Sequence, residues 1–379
     1  MSFALSKEQR MAQQLFRRFA EKEVKPLAQE VDENERFPSE TVEKMARFGF
    51  LGIPYGKEWE GQGCDTLTYI LCVEEMSRFC ATTGVIVSAH TSLGCDPIAK
   101  YGTPEQKEKY LPDLLSGRKL GAFALTEPGA GTDAAGQQTK AVLDGENYVL
   151  NGSKIFITNA GQADVYIIFA MTDKSLGTKG ISAFIVEKEF PGFSVGKKEK
   201  KMGIRGSSTC ELIFENCLVP KENMLGKEGK GFGIAMGTLD GGRIGIGAQA
   251  LGVAQGALDE TVAYVKERKQ FGKPISAFQN TQFQLAEMQT RIEAARHLVY
   301  DAAATKDSGA RFSVEAAMAK LYASQTAMEV TTKCVQLHGG YGYMRDYPVE
   351  RMMRDAKITE IYEGTSEVQL MVVAGALLK

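Results

Sequence analysis

The stretch Asp144-Gly145-Glu146-Asn147-Tyr148-Val149-Leu150-Asn151-Gly152-Ser153-Lys154-Ile155-Phe156-Ile157 decides the fold class. Its period is two, while the chain on either side repeats its apolar residues at helical spacing. Asp144-Gly145 and Asn151-Gly152 both read as hairpin turns, because the central residues of a type I′ turn need positive φ. Val165–Met171, Ile181–Val186 and Glu211–Phe214 read as further strands, so the β region runs from about Gly121 to Val219. Asn151-Gly152-Ser153 also spells a glycosylation sequon, but no secretory signal accompanies it and the turn reading is preferred.

Outward from this region both flanks are helical. On the N-terminal side, Ser6-Lys7-Glu8-Gln9 is a capping box followed by Met11, Leu15, Phe19 and Leu27 as the expected buried face. Thr103-Pro104-Glu105-Gln106 is a second capping box, with Pro at the first helical position and Leu111 and Leu114 following. On the C-terminal side, Leu285, Met288, Ile292, Ala295, Val299 and Ala302 step by three and four. Val314, Ala317, Leu321, Ser324, Met328, Thr331 and Val335 do the same and stop at His338-Gly339-Gly340. That period suits antiparallel helices in a bundle. The expectation is an α+β chain with an N-terminal all-α domain (1–120), a middle β domain (121–228) and a C-terminal helical bundle (229–379).

Composition narrows the function classes. Lys and Arg number 45 against 47 Asp and Glu, a net charge of −2, which asks for neither nucleic acid nor an anionic membrane. The longest apolar runs, Val165–Met171 and Met371–Leu378, fall short of the ~18 residues of a membrane span. Met1-Ser2-Phe3-Ala4 leads directly to polar residues without a signal region. Seven scattered cysteines without a Cys-x-x-Cys pair read as thiols of a reducing, cytoplasmic compartment, and His90, His297 and His338 lack metal-ligand spacing.

Six segments stand out. Phe123–Asp133 is a short strand opening into a Gly-rich loop, Thr126-Glu127-Pro128-Gly129-Ala130-Gly131-Thr132, whose backbone N–H groups can approach a phosphate or planar cofactor. A Rossmann unit is excluded because the chain runs on through Gln137–Val142 into the hairpin and not into a helix. Lys154–Asn159 ends a strand in an aromatic and a hydroxyl, and taken alone it is read first as sheet core. Thr238–Gly247 puts four glycines in and around a helix. At ~1 kcal/mol each against alanine, they imply close approach of a ligand or of another helix. Glu267–Pro274 is a basic helix end, suited either to the helix dipole or to an anion. Gln336–Tyr343 is a helix end opening into a Gly- and aromatic-rich loop. Lys357–Glu367 sets carboxylates around an apolar stretch, with Glu363 just before a glycine.

In this order and over essentially the whole chain, these segments resemble the acyl-CoA dehydrogenase family, most of all short-chain, butyryl-CoA dehydrogenases of anaerobic bacteria. The resemblance implies a β-barrel-like middle domain, a C-terminal four-helix bundle, FAD as cofactor and a homotetramer. It implies α,β-dehydrogenation of a short acyl-CoA, butyryl-CoA to crotonyl-CoA or the reverse, with electrons exchanged with electron-transfer flavoprotein. Glu363, in Tyr362-Glu363-Gly364-Thr365, matches the family's base, which takes the α proton while the β hydride passes to flavin N5. A dry site should raise its pKa. Its backbone N–H and a flavin ribityl hydroxyl would hold the thioester oxygen. Some relatives place the base on the Gly-rich helix; the matching residue here, Gly242, cannot serve.

By the same resemblance Phe123, Leu125, Thr126, Gly131 and Thr132 line one side of the flavin, and Phe156, Ile157 and Thr158 the other. Arg268, Phe271, Gln279, Gln336, Leu337, Gly339 and Gly340 would hold the pyrophosphate and adenine of a neighbouring subunit's FAD, and Thr365, Ser366 and Glu367 complete the site. Thr132, Asp240, Arg243 and Gly364 match acyl-CoA contacts, although Asp240 and Arg243 equally suit an i,i+3 ion pair. Phe156 stands where Trp is common in relatives, and Glu60, in Lys57–Gly63, where a second glycine is usual, so that loop could differ in shape. The basic run Lys197–Lys201 could touch CoA phosphates, but a solvated hairpin is the preferred reading. Two other readings are an acyl-CoA oxidase and a docking subunit of an electron-bifurcating electron-transfer flavoprotein complex.

Overall fold

The computed structural model describes residues 5–379, so the reading of Met1–Ala4 lies outside the described residues. The chain begins with seven α-helices: α1 (Lys7–Phe19), α2 (Ala28–Glu33), α3 (Ser39–Arg47), α4 (Thr66–Ser77), α5 (Ala81–Ser88), α6 (Asp96–Tyr101) and α7 (Pro104–Leu115). Both capping boxes form: Gln9 N–H donates to Ser6 Oγ at 3.1 Å and Gln106 N–H to Thr103 Oγ1 at 3.2 Å, each answered by the glutamine side chain. The buried face of α1 differs from the expected one. Phe16 and Phe19 are inside, with rings 5.0 Å and 5.1 Å from Phe50, while Met11 and Leu15 are exposed. The two phenylalanines bury more apolar area than Met and Leu can. Every residue of α4 and α5 is buried, which makes them the centre of the helical domain.

The middle region holds β1 (Gly121–Ala124), β2 (Lys140–Asp144), β3 (Asn147–Ile157), β4 (Val165–Met171), β5 (Ile181–Glu187), β6 (Phe193–Lys198), β7 (Cys210–Pro220) and β8 (Met224–Leu225). The order is β6-β7-β3-β2-β4-β5-β8, with β1 parallel to β4; β2 meets β4 through the single pair Lys140↔Met171. Inward residues of both halves, among them Tyr148, Leu150, Tyr166, Phe184 and Phe214, share one core, so the sheet wraps in a barrel-like way. Asp144-Gly145 makes the expected hairpin, with Asp144 opposite Asn147. Asn151-Gly152 does not. β3 runs straight through it, and the register against β7 slips between Leu150 and Gly152. Gly152 adopts φ 143°, and a Cβ there would lie 2.7 Å from Thr139 Oγ1. The glycine thus marks a bulge, which needs the same backbone freedom as a turn.

The C-terminal region contains α8 (Gly231–Glu267), a small hairpin of β9 (Lys269–Gln270) and β10 (Lys273–Pro274), α9 (Gln279–Asp307), α10 (Ser313–His338), α11 (Val349–Ile358) and α12 (Ser366–Leu377). On α9 the expected stripe from Met288 to Ala302 is buried. On α10 the stripe is displaced: Val314, Leu321, Met328 and Val335 are half-buried, while Ala316, Ala319, Lys320, Ala323, Ala327 and Val330 join Ala317, Ser324 and Thr331 inside. Small residues win this face because α8 and α9 both pack against α10. Gly339, at φ 61°, ends α10.

All three regions meet at Arg354. Arg354 on α11 pairs with Asp32 on α2 (2.7 Å) and donates to Met202 O (3.1 Å). Glu60 adopts the left-handed φ of 66° that a glycine would, and Arg118 pairs with its carboxylate at 2.8 Å. In Lys197–Lys201, Lys197, Lys198 and Lys200 are exposed, while Lys201 is half-buried on Ser207 O at 2.9 Å. Among the described residues, no helix is long and apolar enough to cross a membrane and no His/Cys/Asp/Glu group could hold a metal.

Candidate active site

Glu363 lies between α11 and α12, and the local sequence puts it in a strained turn. Its φ is 53° and that of Gly364 is 91°, two successive left-handed residues. Only glycine takes such a value cheaply, so Gly364 absorbs the reversal and Glu363 bears a cost on the order of 1–2 kcal/mol. Thr365 then caps α12, its hydroxyl accepting from Val368 N–H at 3.4 Å. The residue is only partly covered, yet Oε2 is sealed from solvent and has no hydrogen-bond partner. It points at Gly242 of α8, where a Cβ would collide with it and stand 2.9 Å from Leu93 Cδ2. Leu93 belongs to a π-helical segment, Ala89–Cys95, of the kind often found beside functional sites.

Charge surrounds this carboxylate. Burial pushes Glu363 up to about 7 against the opposing pull of Lys320 and, less, Arg243. Lys320 on α10 is 1% exposed, and burial pushes it down to about 8. Its Nζ donates to Gly364 O, which also accepts from Gln369 Nε2 at 2.8 Å. Arg243, lowered by burial, is paired with Asp240 at 2.6 Å, and Ser313 Oγ donates to the other oxygen of Asp240 at 2.6 Å. The i,i+3 ion pair is therefore present, and it holds Arg243 beside Glu363. A carboxyl near its titration point, dry and unpartnered, can take a proton from a weakly acidic C–H placed against it.

The Gly-rich loop and the end of β3 lie side by side. Ile155 N–H donates to Thr126 O at 2.9 Å. Behind them Lys154, fully buried, gives its Nζ to Glu127 Oε1 (2.7 Å), Leu125 O (3.1 Å) and Gln137 Oε1 (3.1 Å). Burial pushes Lys154 down to about 8 despite Glu127. Glu127 Oε1 also accepts Thr139 N–H at 3.0 Å, so the base of the loop is stapled to two strands. In front, Phe123 is half-buried with its ring 4.9 Å from Phe169; Leu125 and Ile157 are buried, Thr126 and Thr158 half-buried, and Gly131 and Thr132 exposed. Phe156 is held at φ 61° with its ring 60% exposed. A strained backbone that holds a large apolar ring out in the open suits a planar partner laid against it. With open space at Gly129 and Gly131, these residues fit a flavin.

A third cluster forms elsewhere. Arg268, Gln336, Leu337, Gly339 and Gly340 border a cavity of about 440 Å³, with Tyr341 under the Arg268 guanidinium at 5.4 Å. Phe271 and Gln279 are exposed, on and after the β9–β10 hairpin, and are not among the residues that line the cavity. Thr365 is half-buried and caps α12; Ser366, half-buried, and Glu367, exposed, begin it. Arg268 is 26 residues further along the chain than Gly242 (268 − 242), which at the rise of an α-helix is about 39 Å along α8. Sequence reasoning missed Lys154, Glu127, Lys320 and Gln369. The available signal was a lysine inside an otherwise apolar strand or helix face, which must find a partner when buried.

Three family models match the chain: the acyl-CoA dehydrogenase N-terminal domain over 6–118, the middle domain over 122–217 and the C-terminal domain over 229–378. The chain is 62% identical over 379 residues, all of both chains, to "Acyl-CoA dehydrogenase, short-chain specific" of Clostridium acetobutylicum. It superposes on the butyryl-CoA dehydrogenase of Megasphaera elsdenii with a TM-score of 0.98 at 55% identity, covering 100% of each. A chain solved in work on the electron transferring flavoprotein of Acidaminococcus fermentans and flavin-based electron bifurcation gives 0.99 at 57%, again covering 100% of each. With a helical domain, a wrapped β domain and a helical bundle set around a dry carboxylate, the chain belongs to the acyl-CoA dehydrogenase family.

Proposed function

We propose that the chain carries out the α,β-dehydrogenation of a short acyl-CoA, butyryl-CoA to crotonyl-CoA or the reverse, with Glu363 as the base. The observation that carries this reading is the sealed, unpartnered Glu363 Oε2 facing the gap that Gly242 leaves. FAD, when bound, would supply the acceptor, flavin N5, for the hydride that leaves the substrate β carbon. The chain's own part is to position and deprotonate. Glu363 takes the α proton onto Oε2, and its backbone N–H donates to the thioester oxygen as negative charge develops there. Arg243, fixed by Asp240, keeps positive charge beside the carboxylate, and Thr132, Asp240, Arg243 and Gly364 contact the acyl-CoA. Phe123, Leu125, Thr126, Gly131 and Thr132 hold the flavin from one side and Phe156, Ile157 and Thr158 from the other.

The same reading makes the enzyme a homotetramer. Arg268, Phe271, Gln279, Gln336, Leu337, Gly339 and Gly340 serve a neighbouring copy's FAD, in keeping with a span of about 39 Å along α8 between Gly242 and Arg268. Thr365, Ser366 and Glu367 complete the site, and the domains divide at 120/121 and 228/229. Electron-transfer flavoprotein is the redox partner, in keeping with the likeness to a chain from such a system. The cytoplasm is the compartment, in keeping with seven free cysteines. A subunit used only for docking has no need of a dry carboxylate, which favours the enzyme. The test is the visible spectrum of the purified holoenzyme before and after anaerobic butyryl-CoA. The flavin bands should bleach in the wild type and persist in Glu363→Gln with flavin still bound; full bleaching by Glu363→Gln overturns the assignment. Rapid oxygen consumption with substrate would instead identify an oxidase.

A further inference from the structure

Lys320 is a cation buried in α10, with Ala316, Ala317, Ala319, Ala323 and Ser324 as its nearest buried neighbours along the helix. A lone buried ammonium is costly unless paired and hydrogen-bonded, so its position calls for a reason. Two observations supply one. Its Nζ donates to the carbonyl of Gly364, the second of two successive left-handed residues in the turn that carries Glu363. The same carbonyl takes Gln369 Nε2 from α12, so helices on both sides hold one oxygen and the strained turn has little freedom to relax. The bond to Gly364 O sets the ammonium one residue from Glu363, whose Oε2 has no hydrogen-bond partner. Ionised groups around the pair are Arg243 on α8, neutralised by Asp240, and Glu360 and Glu367 flanking the turn; Tyr69 on α4 and Tyr362 contribute hydroxyls.

We propose that Lys320 is a positioning residue for the base: through the Gly364 carbonyl it fixes the turn that aims Glu363, and it places a positive charge next to that turn. Lys320 touches neither substrate nor flavin in this assignment. It acts by two separable routes, a hydrogen bond to the turn and a charge beside the carboxylate. The methionine variant removes both, glutamine can keep a donor without the charge, and arginine keeps the charge.

The test is the rate of anaerobic flavin bleaching by butyryl-CoA, measured against pH in holoenzyme of the wild type, Lys320→Met, Lys320→Gln and Lys320→Arg. An opposite charge beside a carboxylate lowers its pKa by ~1–3 units, so in Lys320→Met and Lys320→Gln the acid limb should move up by at least about one pH unit. Below the limb that is a loss of about tenfold or more, shrinking as the pH rises. Lys320→Gln should recover more of the alkaline plateau than Lys320→Met, and Lys320→Arg should keep the limb near the wild-type position. A uniform loss at every pH, or no change, overturns the inference. If Lys320→Met does not retain flavin, the limb of Lys320→Gln decides by the same criterion. The inference rests on the proposed role of Glu363, and the two fail differently. A wild type that no short acyl-CoA bleaches removes that role, whereas a bleaching wild type with an unmoved limb in the variants removes only that of Lys320.

Discussion

Glu363 is a carboxylate taken out of water, and its titration couples to folding. Its folded value is pushed up to about 7 from an ordinary 4.5, chiefly by burial, so between those limits the folded state binds the proton that the unfolded chain has released. Stability from this group therefore falls as pH rises through the window and is level above it. Replacing Glu363 by Gln should flatten that slope in thermal melts of the holoenzyme followed by circular dichroism, whatever constant offset it introduces. An unchanged slope would mean that the carboxylate is already ionised. Lys154 gives a sharper stability prediction. It is 0% exposed against a Glu127 that is 5% exposed, so Lys154→Met leaves a buried anion short of its partner. Urea denaturation should show a loss of ~3–5 kcal/mol, with flavin released earlier than in the wild type.

The long helix α8 shows why identical residues do different work along one element. Gly233 faces open space, Gly242 faces Glu363, and at Gly256 a Cβ would run into the backbone carbonyl of Arg78. Alanine at 233 should stabilise the protein by up to ~1 kcal/mol, the ordinary helix propensity gain. Alanine at 256 should reverse the sign, because the neighbouring backbone cannot retreat. At 242 the effect should fall on rate: pushing the carboxylate aside by about an ångström costs on the order of 100-fold in bleaching rate, with the melting temperature little changed. Measuring both quantities for the three variants separates packing glycines from the one that makes room for the base. Such glycines were legible in the sequence as too many for a helix; which neighbour each one admits was not, since the neighbours come from α4, the π-helical segment and the Glu363 turn.

At the scale of the whole molecule, exposure and function part company. Phe271 is 93% exposed; its φ of 53°, followed by Gly272 at 77°, belongs to the two-residue turn of the β9–β10 hairpin, and its ring meets Phe278 edge-on at 6.2 Å. If the hairpin serves a neighbouring copy's FAD, Phe271→Ser should leave the intrinsic unfolding midpoint of the subunit unchanged. It should lower the flavin-to-protein absorbance ratio and the tetramer fraction in light scattering after chromatography. Normal flavin content and assembly would place the adenine end of the cofactor elsewhere.

The sequence by itself determined the order of helical, β and helical regions, because the period of apolar residues follows from backbone geometry and needs no partner. It also carried the capping boxes, the Asp144-Gly145 hairpin and Glu363, each written in a few adjacent residues. Only the tertiary structure decided whether Asn151-Gly152 was a turn or a bulge, since both use the same glycine freedom and only pairing with β7 chooses. It alone decided which side of α1 and α10 is buried, because that depends on the neighbour's shape. And it alone joined Lys320 to Gly364 and Lys154 to Glu127 across 44 and 27 residues, where a buried charge is set by what surrounds it in space.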